Sequence, residues 1–388
     1  MNIVADPNIP FVREAFGSLG SIRLIAGRQM NAAAVSDAEV LLVRSVTPVN
    51  AALLEGSKVK FVATATIGTD HVDTDYLAKR GIGFASAAGS NANSVAEYIV
   101  AAMLELAHRQ RFRLRDKTLG VIGVGNVGRL VVRNAEALGM RVLQNDPPRQ
   151  RTEQLPDFVN LDRVLVEADI VTIHVPLTTS GPDKTHHLFD EKTFAALKRK
   201  PILINSARGA VVDNSALLQA IRAGQLSGVV LDVWENEPNI SLDLLAAVDI
   251  ATPHIAGYSF DGKVNGTTMI YGAVCEFFGR APAWNPASRM PAPTVPRVEV
   301  EAGDADDEDV IRIVVKSIYD ICTDDAALRT ASRMFDRLRA EYSVRRREFP
   351  HTGVLLCGGT ERQRSKLAVL GFQAACGQTR SGSTLFVY

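Results

Sequence analysis

The sequence predicts an α/β protein with two doubly wound parallel-sheet domains followed by a smaller α+β segment. Three observations predict it. Short apolar runs alternate with helix-like segments through about the first 260 residues, the pattern of strands joined by crossover helices. A glycine-rich turn, Gly123-Val124-Gly125-Asn126-Val127-Gly128, stands between a strand pattern and a helix pattern. The Pro-rich stretch 281–296 reads as a linker that sets off the remaining C-terminal residues.

The first strand series covers 2–5, 21–25, 40–43, 61–65 and 82–85. It ends at the small, polar stretch 86–93, after which Ser94 and Glu97 have capping-box spacing for a helix running through Leu106. The basic stretch 109–117 leads into a second series at 119–122, 141–145, 170–174, 202–205, 229–233 and 250–252. Residues 264–278 then carry one apolar helical face, with Gly279 in the capping position. The C-terminal segment reads as helices near 308–321 and 361–370, with strands late, near 354–357 and 384–387.

Composition bounds the function. A chain of 388 residues, 46% hydrophobic, exceeds one ordinary domain. Its 43 basic and 43 acidic residues cancel, so no global field points to nucleic acid or an anionic membrane, while a local cationic pocket for a small anion stays open. No apolar run approaches the roughly 20 residues of a membrane helix, and Met1–Asp6 reads as a strand rather than a signal peptide. Cys275, Cys322, Cys357 and Cys376 are scattered; their even number leaves disulfides open, but free thiols in a reducing cytoplasm fit this chain better. His186-His187 lacks ligand companions, and adjacent histidines are expected to point apart; no metal site is expected.

The glycine turn fits the Rossmann-like dinucleotide fingerprint. Gly123 permits the tight turn, Gly125 lets a pyrophosphate approach the backbone, and Gly128 lets helix and strand pack closely. Asp146 ends the next strand, where a carboxylate accepts from ribose hydroxyls and repels a 2′-phosphate, so NAD is preferred over NADP; the alternative is a turn aspartate before Pro147-Pro148. Gly123, Asp146, His174, Ser206 to Arg208, Asp232 and His254 each end or follow one strand of the second series. In an open parallel sheet that edge binds ligands.

Oxidising a 2-hydroxy acid requires a cation for the carboxylate, a base for the hydroxyl proton and a group that supports the base. Arg208 offers a planar fork, His254 an imidazole, and Glu237 a carboxylate that stabilises the imidazolium. Each has a plainer reading alone: a surface ion pair, a structural histidine, a solvated loop acid. Their common sheet edge is what joins them.

The segments GVGNVG, NSARGAVVD, DVWENEP and TPHIAG resemble the D-2-hydroxyacid dehydrogenase family over about the first 285 residues. LVRSVT, ATIGTDH, HIAGYS with Asp261-Gly262-Lys263, and the C-terminal extension are similar to members that oxidise a small phosphorylated 2-hydroxy acid. The resemblance implies a substrate-binding domain of 1–94 completed by 259–285, an NAD-binding domain of 95–258 and a C-terminal dimerisation domain of 286–388, hence a cytoplasmic homodimer. It implies substrate contacts from Ser45, Thr66 and Tyr258. Cofactor contacts are implied for Gly123, Gly125, Asn126, Val127, Gly128, Asp146, His174, Val175, Ala207, Asp232 and Gly257. Val175 stands where relatives often place threonine, so only a backbone contact is available there. Arg44 and the run Arg345-Arg346-Arg347 are candidates for the substrate phosphate; the run reads alternatively as a solvated helix face or as partners of nearby acids. A phosphoglycerate or other 2-hydroxyacid dehydrogenase would keep the same trio, and an NAD-sensing scaffold is the reading from another class. The late strands fit a small amino-acid-sensing domain poorly.

Overall fold

The computed structural model describes residues 1–153, 158–342 and 346–378. The chain divides into two compact units, Met1–Asn91 with Ser259–Ala292, and Ala92–Tyr258 with Pro293–Tyr388.

The first unit is a five-stranded sheet of β1 (Asn2–Ala5), β2 (Ser21–Leu24), β3 (Val40–Val43), β4 (Phe61–Thr64) and β5 (Gly83–Ser86), in the order β2-β1-β3-β4-β5. Every pairing is parallel. β3 and β4 are buried along their whole length, which is why VLLV and FVAT read as continuous apolar runs rather than alternating ones. The Phe260–Phe277 helix returns to cover this sheet, burying Ile270, Tyr271 and Val274 beside Ile3, Leu42 and Phe61. Arg44 and Ser45 follow β3 and Thr66 follows β4, so the three share the carboxyl edge of this sheet.

The second unit holds six parallel strands: β6 (Thr118–Ile122), β7 (Arg141–Asn145), β8 (Ile170–Ile173), β9 (Ile202–Asn205), β10 (Gly228–Leu231) and β11 (Ile250–Ala251). Their order, β11-β10-β9-β8-β6-β7, reverses direction between β6 and β8, and ligands bind at such a switch point. The Ala92–Gln110 helix is buried from Ser94 through Ala107, so its periodicity is masked by apolar residues on nearly every side.

The C-terminal segment departs from expectation. A strand, β12 (Arg297–Glu301), leads it, and with β13 (Gly353–Cys357) and β14 (Gln373–Gly377) makes a three-stranded parallel sheet. The expectation of early helices and late strands is therefore corrected, and the strand expected near 384–387 lies outside the described residues. β12 alternates as a half-buried strand does, but only two apolar residues, Val298 and Val300, carry the pattern, too short a run to stand out beside a Pro-rich stretch. The Asp307–Ile318 and Glu361–Val369 helices cover the sheet. Val298, Val310, Leu356 and Leu367 join one apolar core with Ile99, Val121 and Ile204 of the nucleotide-type sheet and its helix.

Ser94 and Glu97 are not a capping box. The helix begins at Ala92, and both side chains hold the C-terminal segment instead. Ser94 donates to Glu348 Oε1 at 2.7 Å, and Glu97 Oε1 accepts the Phe349 N–H at 2.7 Å. Burial, and then the neighbouring Glu348, push the Glu97 carboxyl well above the usual carboxylate range. Among the described residues no helix is long and apolar enough to cross a membrane.

Candidate active site

The glycine turn is built as its spacing demands. Gly123 sits at φ +85°, and a side chain there would meet the His174 carbonyl at 2.8 Å. A Cβ on Gly128 would fall 2.0 Å from the Gly123 carbonyl oxygen, so these two glycines are required by the protein itself. Gly125 differs. Among the described residues nothing lies within 4 Å of the place its Cβ would occupy, and Gly125 and Asn126 are exposed ahead of the Gly128–Ala137 helix. The protein's own packing does not need that glycine, and open space over a helix N-terminus suits a pyrophosphate.

Asp146 does two things at the end of β7. Its Oδ2 accepts the Val124 N–H at 2.8 Å, and its Oδ1 accepts the Arg149 N–H at 3.1 Å at the start of the following helix. Arg149, the cation beside it, is engaged by both oxygens of Glu153 at 2.7 and 2.6 Å. That guanidinium is paired at the surface, and Asp146 stands at the end of the turn, where a carboxylate disfavours a 2′-phosphate. His174 follows β8, its Nε2 3.0 Å from Thr172 Oγ1. Loss of hydration around the ring pushes its pKa down to about 3, so it is a neutral hydrogen-bonding group at any physiological pH.

Arg208, Glu237 and His254 line one pocket of about 270 Å³, with Leu177, Trp234 and Glu235 among its other walls. Three loops at the carboxyl edge of the sheet bring them together. The loop after β9 is pressed against the next one: a Cβ on Gly209 would fall 1.9 Å from the Trp234 carbonyl oxygen. Arg208 itself donates from Nη1 to the Ala207 carbonyl at 2.8 Å, and the Asn205 amide spans the turn beneath it. Buried Ser206 Oγ has no hydrogen-bond partner among the described residues, an orphaned polar atom on the edge where a ligand is expected.

The loop after β10 supplies Glu237. Its Oε1 accepts the Trp234 N–H at 2.9 Å, and its Oε2 lies 2.8 Å from His254 Nδ1. Burial raises this carboxyl, but the His254 hydrogen bond and charge, the Trp234 N–H and the Arg339 guanidinium outweigh it, leaving the group below the usual carboxylate range. His254 is held at φ +58°, a left-handed conformation that costs about 1–3 kcal/mol in a residue other than glycine. Asp232 holds it there. Its carbonyl accepts the His254 N–H at 2.7 Å, and its carboxylate accepts the Ile255 and Ala256 N–H groups at 2.7 and 3.0 Å and the Thr252 hydroxyl at 2.7 Å.

The remaining expected site residues divide. Ala207 is nearly buried, and Val175, Gly257 and Tyr258 are half-buried around the same edge. Ser45 is exposed, while Thr66 Oγ1 lies 2.7 Å from Thr64 Oγ1 and donates to the Gly68 carbonyl at 3.2 Å. The arginine run is corrected. Arg346 and Arg347 are only 8% and 7% exposed, so neither belongs to a solvated face. Arg346 donates to the carbonyls of Ile255, Ala256 and Ser94 at 3.1, 3.2 and 3.0 Å and stacks 4.0 Å over the Tyr319 ring. That commits Arg346 to the interior rather than to a phosphate; Arg345 lies outside the described residues. His186 and His187 do not point apart. Their rings stack at 4.0 Å, because His187 takes φ +52° and turns its Nε2 to Glu235 Oε1 at 2.8 Å. Glu235 also accepts the Asn214 N–H at 2.8 Å, tying the two pocket loops together, and nothing in its sequence context signalled that role.

Curated sequences match over nearly the whole chain. An erythronate-4-phosphate dehydrogenase of Salinibacter ruber is 48% identical over 376 residues, covering 91% of this chain and 93% of that protein. One from Sodalis glossinidius is 47% identical, covering 96% of this chain and 99% of that protein. This chain belongs to the erythronate-4-phosphate dehydrogenase family. The family model described as "D-isomer specific 2-hydroxyacid dehydrogenase, NAD binding domain" matches residues 87–256, and one described as a domain of unknown function matches 290–371. Among solved structures, a D-lactate dehydrogenase from Aquifex aeolicus complexed with NAD and lactic acid is 28% identical, with a TM-score of 0.60 over 72% of this chain and 96% of that one. An NAD-dependent formate dehydrogenase from Staphylococcus aureus in complex with NAD is 26% identical, with a TM-score of 0.60 over 74% and 98%. The family resemblance drawn from the loop motifs and the C-terminal extension is borne out.

Proposed function

We propose that this chain catalyses the NAD-dependent oxidation of 4-phospho-D-erythronate to (R)-3-hydroxy-2-oxo-4-phosphobutanoate, a step of pyridoxal 5′-phosphate synthesis. Membership of the family supports the reaction. The observation that carries the chemistry is the 2.8 Å contact of His254 Nδ1 with Glu237 Oε2 in the pocket that Arg208 also lines. NAD, when bound, supplies the hydride acceptor. His254, through its other ring nitrogen, takes the C2 hydroxyl proton while Glu237 stabilises the imidazolium. The Arg208 fork holds the carboxylate and draws electron density from the developing carbonyl.

Gly123, Gly125, Asn126, Val127 and Gly128 are the residues that would hold the pyrophosphate, and Asp146 the adenosine ribose. His174, Val175, Ala207, Asp232 and Gly257 would lie toward the nicotinamide, where the second lone pair of Asp232 Oδ2 suits a carboxamide N–H. Ser45, Thr66 and Tyr258 are the proposed substrate contacts, with Arg44 and Arg347 as candidates for the phosphate. By the same reading 1–94 with 259–285 bind substrate, 95–258 bind NAD and 286–388 form the interface of a homodimer. Four free cysteines suit a reducing cytoplasm.

The test is oxidation of 4-phosphoerythronate, read as NADH in a single turnover, and as the 2-oxo product when an added 2-oxo acid reoxidises NADH that stays bound. Turnover of 3-phosphoglycerate in its place would reassign the substrate, and NAD binding without turnover of either would favour a sensing scaffold. His254→Ala is expected to lose a hundredfold or more of the rate, on the order of the usual acid–base contribution; single-turnover oxidation at the wild-type rate would remove His254 from the role. Sedimentation would check the dimer.

A further inference from the structure

A guanidinium from the C-terminal extension reaches the catalytic pair. Arg339, on the Phe335–Ala340 helix, places Nη1 4.0 Å from Glu237 Oε2, the oxygen that also meets His254. Its Nη2 donates to the Tyr258 hydroxyl at 3.2 Å, and its Cζ lies 5.7 Å from the centre of the same ring. Tyr342 packs against Tyr258 in an edge-to-face arrangement, with ring centres 6.3 Å apart. Arg339 Nε is buried and has no hydrogen-bond partner among the described residues, an unfavourable state for an N–H group. A guanidinium kept largely out of water, with one donor unsatisfied and only a 4.0 Å approach to its carboxylate, is poorly placed to serve stability alone.

We propose that Arg339 is a positioning residue of the dehydrogenase site, orienting Tyr258 and holding the Glu237–His254 pair in its base form, a carboxylate beside a neutral imidazole, from the C-terminal extension. The inference rests on the dehydrogenase reading above. It makes the extension part of the site within a single chain. Two jobs follow from two contacts. The planar fork fixes the Tyr258 hydroxyl, four residues beyond His254. The charge, lying beside Glu237 Oε2, opposes protonation of the pair. The charged or titratable groups that face the pair are Arg208 and Glu235 across the pocket, Asp232 and Tyr258 on the neighbouring loops, and Arg339 from the extension. Among the described residues that face the pair, Arg339 and Arg208 are the cations. Burial lowers the tendency of Arg339 to stay charged, but Tyr258 and Glu237 more than restore it.

The charge and the fork are separable by substitution. Arg339→Met removes both, and Arg339→Lys keeps the charge while losing the planar fork. Arg339→Met is expected to move the acid limb of the kcat/KM profile upward by about half a pH unit or more, because protonating the pair no longer places charge beside a cation. Its KM for the hydroxy acid should also rise about tenfold. Arg339→Lys should keep the wild-type acid limb and share the rise in KM. Independently of turnover, the His254 ring resonances in the full chain should titrate at higher pH in Arg339→Met than in wild type. If the methionine variant does not fold, the lysine variant still decides: a wild-type KM, or an acid limb displaced upward, would overturn the proposal. An unchanged ring titration in a folded Arg339→Met would do the same. Absence of turnover by the wild-type protein would instead defeat the proposed function, and leave the ring titration to judge Arg339.

Discussion

The Asp232 carboxylate accepts the Ile255 N–H at 2.7 Å, and through that contact a residue at the end of one strand sets the backbone that follows His254, the proposed proton acceptor. The same carboxylate takes the Ala256 N–H and the Thr252 hydroxyl, so both flanks of His254 hang from one buried acid. Asp232→Ala strands three buried donors. The expected loss is about 3 kcal/mol or more in urea unfolding, with turnover reduced at least a hundredfold because the left-handed His254 loses its support. Retention of both quantities would show that the loop holds itself.

Glu237→Gln tests the pair without changing its shape. The amide no longer stabilises an imidazolium, so turnover should fall ten- to a hundredfold and the acid limb of the profile should move to lower pH. The stability term has a definite sign. The folded carboxyl lies below the unfolded value of 4.5, so its contribution is complete above that value and is lost as pH falls through the lower folded value. The glutamine variant should therefore show a shallower loss of stability in acid than the wild type.

His174 adds a second acid-sensitive term. Its folded pKa of about 3 lies below the unfolded 6.5, so between these values the unfolded chain binds the extra proton. Stability then falls as pH drops from 6.5 toward 3. Urea midpoints measured from pH 7 to pH 4 should decline less steeply in His174→Gln, and an identical slope would reject the assignment.

Gly209→Ala places a methyl group 1.9 Å from the Trp234 carbonyl oxygen, against main chain that has no flexible end to yield. The two pocket loops must separate, carrying Arg208 from Glu237 and His254. The expectation is a loss of about 1–3 kcal/mol, the usual cost of overpacking, and a larger rise in KM for the hydroxy acid than for NAD. Equal changes in both constants would show that Arg208 had not moved toward or away from the substrate carboxylate.

Arg346→Met separates an interior role from phosphate recognition. Three main-chain carbonyls and the Tyr319 ring lose their cation, and thermal unfolding should shift down by several degrees. Discrimination between phosphorylated and unphosphorylated substrate should stay as in the wild type. A specific loss of that discrimination in a stable Arg346→Met protein would restore the phosphate reading.

The sequence by itself determined what local pattern encodes. Continuous apolar runs marked β3, β4 and β8 because strands buried on both faces leave no alternation to hide. Gly123 and Gly128 announced a strand-to-helix turn because one needs a positive φ and the other a missing side chain. Arg208, Glu237 and His254 were legible because each follows a strand of one parallel sheet, and that topology gathers strand ends at a single edge. Local pattern failed at β12 and β14, whose charged or small residues carry a weak strand signal. It failed again where partners are distant in the chain. Ser94 and Glu97 have the spacing of a helix cap, yet they bind Glu348 and Phe349, more than 250 residues away. The arginine run gave no sign that Arg346 is interior, and Arg339 no sign that it reaches Glu237. Only the tertiary structure decided these, because a buried charge takes its meaning from the groups packed around it, and those groups come from other elements of the chain.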